Sequence, residues 1–321
     1  MRKRIVAGIV SALALIAAGP ALAEYPDRPI TMIVAYSAGG GTDIAARTLV
    51  PYVEKHLGEG ASIVVVNRPG AGGEIGFTEL AKSAPDGYTI GFINTPNLIT
   101  IPIQRKARYS LSTLKPIANV INDPGAFSVV PDSPYKTLDE LVAYAKEHPG
   151  EVTYGTTGLG SDDHLAALAF EAAAGVKLSH VPFSGNADVR AAALGGHIAI
   201  ADMNISEAIS DVEEGSLIAL GQMAEKRWDK APNVPTFKEQ GYDVISGSQR
   251  GIGAPAGVPD DIVAKLAEAV RAAVNDPDFQ ARANEQKLAL DYMDSAAFTA
   301  ALEGMQKQYE ALWAKDPWVQ Q

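Results

Sequence analysis

The chain reads as an α/β protein with parallel sheets arranged in two lobes, and three observations predict this. Apolar, β-branched runs alternate with helical patterns from Ile30 onward, and the runs are apolar throughout, as strands covered on both faces should be. Three of the strand-to-helix junctions are Gly-rich, at 37–41, 68–74 and 157–161. The 321 residues, 47% hydrophobic and 20% charged, suffice for two cores.

The first 23 residues stand apart. Arg2, Lys3 and Arg4 precede an apolar segment from Ile5 to Ala18, then Gly19-Pro20 and a small-x-small site at Ala21-Leu22-Ala23. This is the pattern of a secretory signal peptide cleaved after Ala23, and the apolar core is short for a membrane span. The protein is therefore expected in the periplasm. There is no cysteine, which excludes disulfides, Cys metal sites and a lipidated N-terminal Cys. Removing the three basic leader residues from the 27 Lys and Arg leaves 24 against 38 acidic residues, a formal charge of −14. Nucleic acid and anionic lipid are poor partners for such a chain.

Past the leader, the run 30–36 predicts a strand that empties through 37–41 into a helix over 42–57, with Thr42 and Asp43 at capping positions. A second unit repeats the plan: strand 62–67, loop 68–74 (RPGAGGE), helix 75–82, then the Pro85-Asp86-Gly87 turn and strand 88–93. Strand-like runs at 117–121 and 127–130 flank Asp123-Pro124-Gly125, where the first passage between lobes is expected. Helix 138–147 opens with Thr137 and Glu140 at capping-box spacing. Strand 152–156, the loop Thr157-Gly158-Leu159-Gly160-Ser161 and helix 162–174, closed by Gly175, form the third junction. Then come strand 178–181, a turn at Gly185, helix 187–194, and strands 198–203 and 217–223. Strand 244–254 is the expected return crossing; helices at 259–274, 278–287 and 296–313 should pack back on the first lobe. Lobe 1 is thus expected to take 24–125 plus 248–321, and lobe 2 126–247.

In parallel α/β sheets ligands bind off the carboxyl ends of the strands, where these Gly-rich loops fall. A helix N-terminus offers an anion only about 0.3–1 kcal/mol, while desolvating a carboxylate costs several kcal/mol. Several charge-assisted hydrogen bonds of about 1.5–3 kcal/mol each are needed. Backbone amides, Thr42, Thr156, Thr157 and Ser161 are candidate donors. Asp202 could accept a hydrogen bond from a ligand hydroxyl, amine or protonated acid, and Arg250 could face a ligand's far end. Other readings fail on detail. A dinucleotide fingerprint beginning at Gly70 would need glycine at Ile75. Asp162, Asp163 and His164 lack metal-ligand spacing and read as helix N-terminal residues. Ser37 in Ala35-Tyr36-Ser37-Ala38-Gly39 resembles a nucleophile elbow, and a secreted α/β hydrolase is the alternative function, but nothing ties His164, His180 or His197 to it.

The ordered motifs YPDRPITMIV, AGGGTDIAAR, VVNRPGAGGEIG, APDGYTI, GLGSDDHLAA, HVPFSGNADV, ALGGHI, NVPTFKEQGY and GIGAPAGVP resemble the substrate-binding proteins of tripartite tricarboxylate transporters, the Bug family, from Tyr25 to the C-terminal helix. The resemblance implies the type II periplasmic-binding fold, with two Rossmann-like lobes closing on a small carboxylate. It implies no enzyme activity, no cofactor or metal, a monomer, and integral-membrane transporter subunits as partners. The candidate ligand-binding set is Tyr36, Ser37, Ala38, Gly40, Thr42 and Asp43 in the first loop; Ala71, Gly72 and Gly73 in the second; Thr95; Thr156, Thr157, Gly158 and Ser161 in the second lobe; and Asp202 and Arg250. A dicarboxylate is the expected ligand. The chain departs from the family where Ser37-Ala38 replaces two prolines, where Ala199 replaces a common Asp, and where Ser216-Leu217-Ile218 replaces a basic K-L-R. The first departure is expected to loosen or rehydrate the carboxylate grip.

Overall fold

A computed structural model describes residues 25–315 and 317–318. The leader, Met1 to Ala23, lies outside the described residues. The alternation read from the sequence is present. β1 (Ile30–Val34) leads into α1 (Gly41–Leu57), and β2 (Ile63–Asn67) into α2 (Glu74–Lys82). Then come β3 (Thr89–Asn94), α3 (Asn97–Gln104) and the long β4 (Leu114–Val129). The middle of the chain builds α4 (Leu138–Glu147), β5 (Thr153–Thr156), α5 (Asp162–Ala174), β6 (Ser179–Pro182), α6 (Asn186–Leu194), β7 (Ile200–Asn204), α7 (Ile205–Glu214) and β8 (Ile218–Gln222). β9 (Gly247–Pro255), α8 (Asp260–Val274), α9 (Pro277–Glu285), β10 (Leu290–Met293) and α10 (Ser295–Lys315) complete it.

The strands run in the order β2-β1-β3-β9-β4-β7-β5-β6, with β8 and β10 also paired to β4. β2-β1-β3 and β7-β5-β6 are parallel, as expected, but β9 and β4 run antiparallel to their neighbours, so the sheets are mixed. These two strands join the lobes. Before Asp123, β4 packs in a core with β1, α1, β9 and α8; after Gly125 it packs with α4, α5 and β7. Asp123-Pro124-Gly125, which reads as a break, is extended strand in the structure. Proline is tolerated because the strand changes partners there: Gly125 N–H donates to Ser246 O at 2.9 Å, and β7 takes over from β9.

Three elements are absent from the sequence reading: α3, α7 and β10. In α3 (NLITIPIQ) the β-branched residues and Pro102 weigh against helix, but Leu98, Ile99 and Ile101 are buried in a core with α10, and tertiary packing wins. α1 begins one residue earlier than expected. Its cap is Gly40, which provides no side-chain bond, and Thr42 lies inside the first turn.

Candidate functional site

The strand ends deliver their loops to one narrow cavity in the cleft between the lobes. On the first lobe, the N–H groups of the first turn of α1 have neither an intrahelical partner nor a side-chain cap, and Gly40, Gly41 and Thr42 line the cavity. Tyr36, Asn94, Thr95 and Asn97 complete this wall. Asn94 Nδ2 donates to Thr42 Oγ1 at 2.6 Å, and the Tyr36 hydroxyl has no partner. The second lobe faces them with Thr157, Asp162, Asn186, Asn204 and Glu207; Ser248 and Arg250 of β9 are at the floor.

Contacts bridge the lobes around this cavity. Thr100 Oγ1 of α3 donates to Gly160 O at 2.6 Å and Gln104 Nε2 to Leu159 O at 3.2 Å. Ser37 Oγ donates to Asp188 Oδ2 at 3.1 Å. Gly72, at φ +70°, faces Gly158, at φ +126°; a Cβ on Gly158 would stand 3.3 Å from Gly72 Cα, so only glycines allow this approach.

The candidate residues divide into two groups. Tyr36, Gly40, Thr42, Thr95, Thr157 and Arg250 line the cavity, with Gly72 and Gly158 at its edge. The others hold the loops in shape. Asp43 accepts from Gly39 N, Arg47 Nε and Asn67 Nδ2, all within 3.0 Å. Ser161 caps α5 by accepting from His164 N, and Thr156 Oγ1 bonds His180 Nε2 at 2.6 Å and the N–H of Gly158. Gly73 packs on Phe77 and Tyr36, Ala71 gives its carbonyl to Arg105, and Ala38 is exposed. Asp202 lies away from the cavity lining, fully buried on β7 opposite Phe127 with both oxygens unpartnered.

Asn94, Asn97, Asp162, Asn186, Asn204, Glu207 and Ser248 escaped the sequence reading as cavity residues. Asn94 and Asn204 end strands at the carboxyl edge and were legible by that rule. Glu207 depends on α7, whose segment reads as a loop between strands.

Arg250 is the one cationic side chain lining the cavity among the described residues, and it is 2% exposed. Its guanidinium is held by Asp123 (3.3 Å), Glu207 and Asn204. Burial opposes its charge, but Glu207, Asp123 and Asp162 together hold it protonated above the ordinary arginine range. The carboxyls go the other way. Burial pushes Asp123 up to about 7, with Arg250 pulling back, and Asp162 up to about 6. Burial and neighbouring carboxylates raise Asp163 and Asp202 well above the usual range. Burial also lowers His164 to about 3 and His180 to about 4.

These directions fix a stability profile. Carboxyls with raised folded pKa values contribute a stability that is fully present below the unfolded value near 3.9 and is lost as pH rises to the folded values, about 6 for Asp162, about 7 for Asp123 and higher for Asp163 and Asp202. The histidines oppose this from pH 6.5 downward, since the unfolded chain takes their protons first. Four acids outnumber two histidines, so the unliganded protein should melt at higher temperature near pH 5.5 than at pH 8. Asp202→Asn should flatten the difference; a scan with its maximum at pH 8 would contradict the assignment.

A family model described as "Tripartite tricarboxylate transporter family receptor" matches residues 45–312. The chain belongs to that family. It is 36% identical over 312 residues to the "UPF0065 protein in gbd 5'region" of Cupriavidus necator, covering 94% of this chain and 93% of the relative. Periplasmic binding protein BugD superposes with TM-score 0.86 at 30% identity, over 92% of this chain and 100% of that one. MatC from Rhodopseudomonas palustris, solved with bound malate, superposes with TM-score 0.83 at 26% identity, over 90% and 99%. A second R. palustris protein, solved with adipate, gives 0.84 at 26% identity, over 90% and 97%. The fold is that of the periplasmic binding proteins. Members of this tripartite tricarboxylate receptor family bind substrates and are not enzymes, so the Ser37 hydrolase reading is set aside. Ser37 itself bonds Asp188 across the lobes. Among the described residues, no helix is long and apolar enough to cross a membrane.

Proposed function

We propose that this receptor is an exported, periplasmic, monomeric solute-binding protein that closes two lobes on a small organic carboxylate and delivers it to the membrane subunits of a tripartite transporter. The observation that carries the reading is the uncapped N-terminus of α1 opening into a cavity between two bridged lobes. Backbone N–H groups there receive a carboxylate without an added cation. The expected dicarboxylate class is supported by the neighbours solved with malate and adipate. The leader directs export and is cleaved after Ala23. Lobe 1 comprises 24–125 and 248–321, lobe 2 comprises 126–247, and the two crossings at 123–125 and 246–248 act as the hinge.

The Gly-rich loops test this reading. In Gly72→Val the side chain enters the space between Gly72 and the Thr157 carbonyl, 3.9 Å from where a Cβ would stand, and the φ of +70° adds about 1–2 kcal/mol of strain. Calorimetric titration with mono-, di- and tricarboxylates should show at least a hundredfold weaker binding than wild type for whichever acid binds. Unchanged affinity would remove the loop from the site.

A further inference from the structure

The wall opposite α1 is built for a donor and not for a second anion. Asp162 and Glu207 both line the cavity there. Arg250 brings no spare charge for an incoming acid, because the carboxylates of Asp123 and Glu207 already match it, with Asn204 also on Nη2 and Nε without a partner. What remains open on this wall is mostly acceptors. Glu207 Oε2, on a side chain only 9% exposed, has no hydrogen-bond partner. Asn186 Oδ1 on the same wall has none either, nor does Asn94 Oδ1 on the α1 side of the cavity. The two carboxylates carry the point whichever way the amides are turned. Buried acceptors left without donors are costly, and a protonated amine brings three donors, no acceptor and one positive charge.

The mouth of the cleft agrees. A wider opening continuous with the cavity through Gly40, Gly41, Asn186 and Glu207 is rimmed by Asp211, Glu214 and Glu285. Its arginine, Arg190, is bound to Asp211 through both Nε and Nη2. Glu285 is likewise paired with Arg282 at 2.9 Å, so Glu214 is the rim acid that adds net negative charge, which favours a cationic group over a dianion.

We propose that the ligand is an amino-bearing carboxylate, its carboxylate at the N-terminus of α1 and its protonated amine between Asp162 and Glu207. This rests on the carboxylate-binding reading above and narrows it: a dicarboxylate skeleton fits only where an ammonium separates its second acid from those two residues. A hydroxyl supplies one donor and no charge, so it is the informative competitor.

The test uses two series of fixed skeleton, titrated into the full mature protein. One is succinate, malate and aspartate; the other is propionate, lactate and alanine. In the series that binds, the amino member should be at least thirtyfold tighter than both others. Its affinity should rise about tenfold between pH 5 and pH 7.5, as Asp162, which burial pushes up to about 6, loses its proton, while the des-amino member gains nothing. Asp123, Asp163, Arg250 and Tyr36 face the same pair; Asp123, at about 7, adds to the same rise, and the des-amino member, which brings no positive charge, gains from none of them. Glu207→Gln should reduce the amino preference at least tenfold; if that variant does not fold, the wild-type pH series decides. Equal or tighter binding of succinate, malate, propionate or lactate overturns the proposal and leaves carboxylate binding standing. Binding of none of the six overturns both.

Discussion

Arg250→Met is expected to destabilise the protein by about 3–5 kcal/mol at pH 8, the usual effect of removing one partner from a buried ion pair, and by much less at pH 5. Methionine fills most of the volume, so the loss is electrostatic. Asp123 is fully buried and Glu207 nearly so, and without the guanidinium each has only neutral donors or none. Asp123 responds by binding a proton. Asp123 is at about 7 even with Arg250 beside it, because burial outweighs the attraction, and removing the cation pushes it further up. A carboxyl whose folded pKa lies above its unfolded value near 3.9 stabilises the fold when protonated and loses that as pH rises through the folded pKa. The penalty should therefore appear mainly above pH 7. Urea unfolding of wild type and variant at both pH values measures it. An equal loss at the two, or one below about 1 kcal/mol at pH 8, would falsify the cluster's assignment as a buried charged network.

How much of this was legible without coordinates depends on how local the signal is. The βα junctions were, because β-branched runs, glycines and a following helix are contiguous in sequence, and all three Gly-rich loops reach the cleft region. Arg250 was singled out because an arginine on an apolar strand needs a reason. Its saturation was not legible, since Asp123, Asn204 and Glu207 come from β4, β7 and α7, and only the crossing of β4 and β9 brings them together. Asp202 shows the limit of the strand-end rule. It precedes the strand terminus by two residues, so alternation puts its side chain on the same face as the cavity-lining Asn204, but one step back from the carboxyl edge, opposite Phe127 and away from the cavity. Thr42 and Asp43 look alike as caps, yet the helix starts at Gly41. One becomes an acceptor for Asn94 and the other an anchor for the loop.

The same one-residue shift makes Gly41→Val the sharpest test of closure. Gly41 is the first residue of α1, and a Cβ there would lie 2.0 Å from Glu207 Oε1 and 2.7 Å from Arg250 Nη1. Glu207 cannot simply turn aside, because its carboxylate is bonded to Arg250 and almost enclosed. The closer conflict, with Glu207, therefore falls between the lobes, while the one with Arg250 falls within the first lobe, at the far end of a long side chain. Valine is no worse than glycine in a helix, by about 0.3 kcal/mol or more, and Gly41 needs no left-handed backbone, so lobe 1 should fold as before. The unliganded variant should still fold, losing no more than the about 3–5 kcal/mol expected when the buried Arg250 and Glu207 are parted. Ligand binding should fall at least a hundredfold, because an acid gripped by α1 alone forfeits every contact from the second lobe, and each tenfold is about 1.4 kcal/mol. Calorimetry reads the affinity, and small-angle scattering of the saturated protein reads whether the lobes have come together. Wild-type affinity with a compact scattering profile would mean that Glu207 yields, and that the contact between α1 and α7 is not what sets the closed distance.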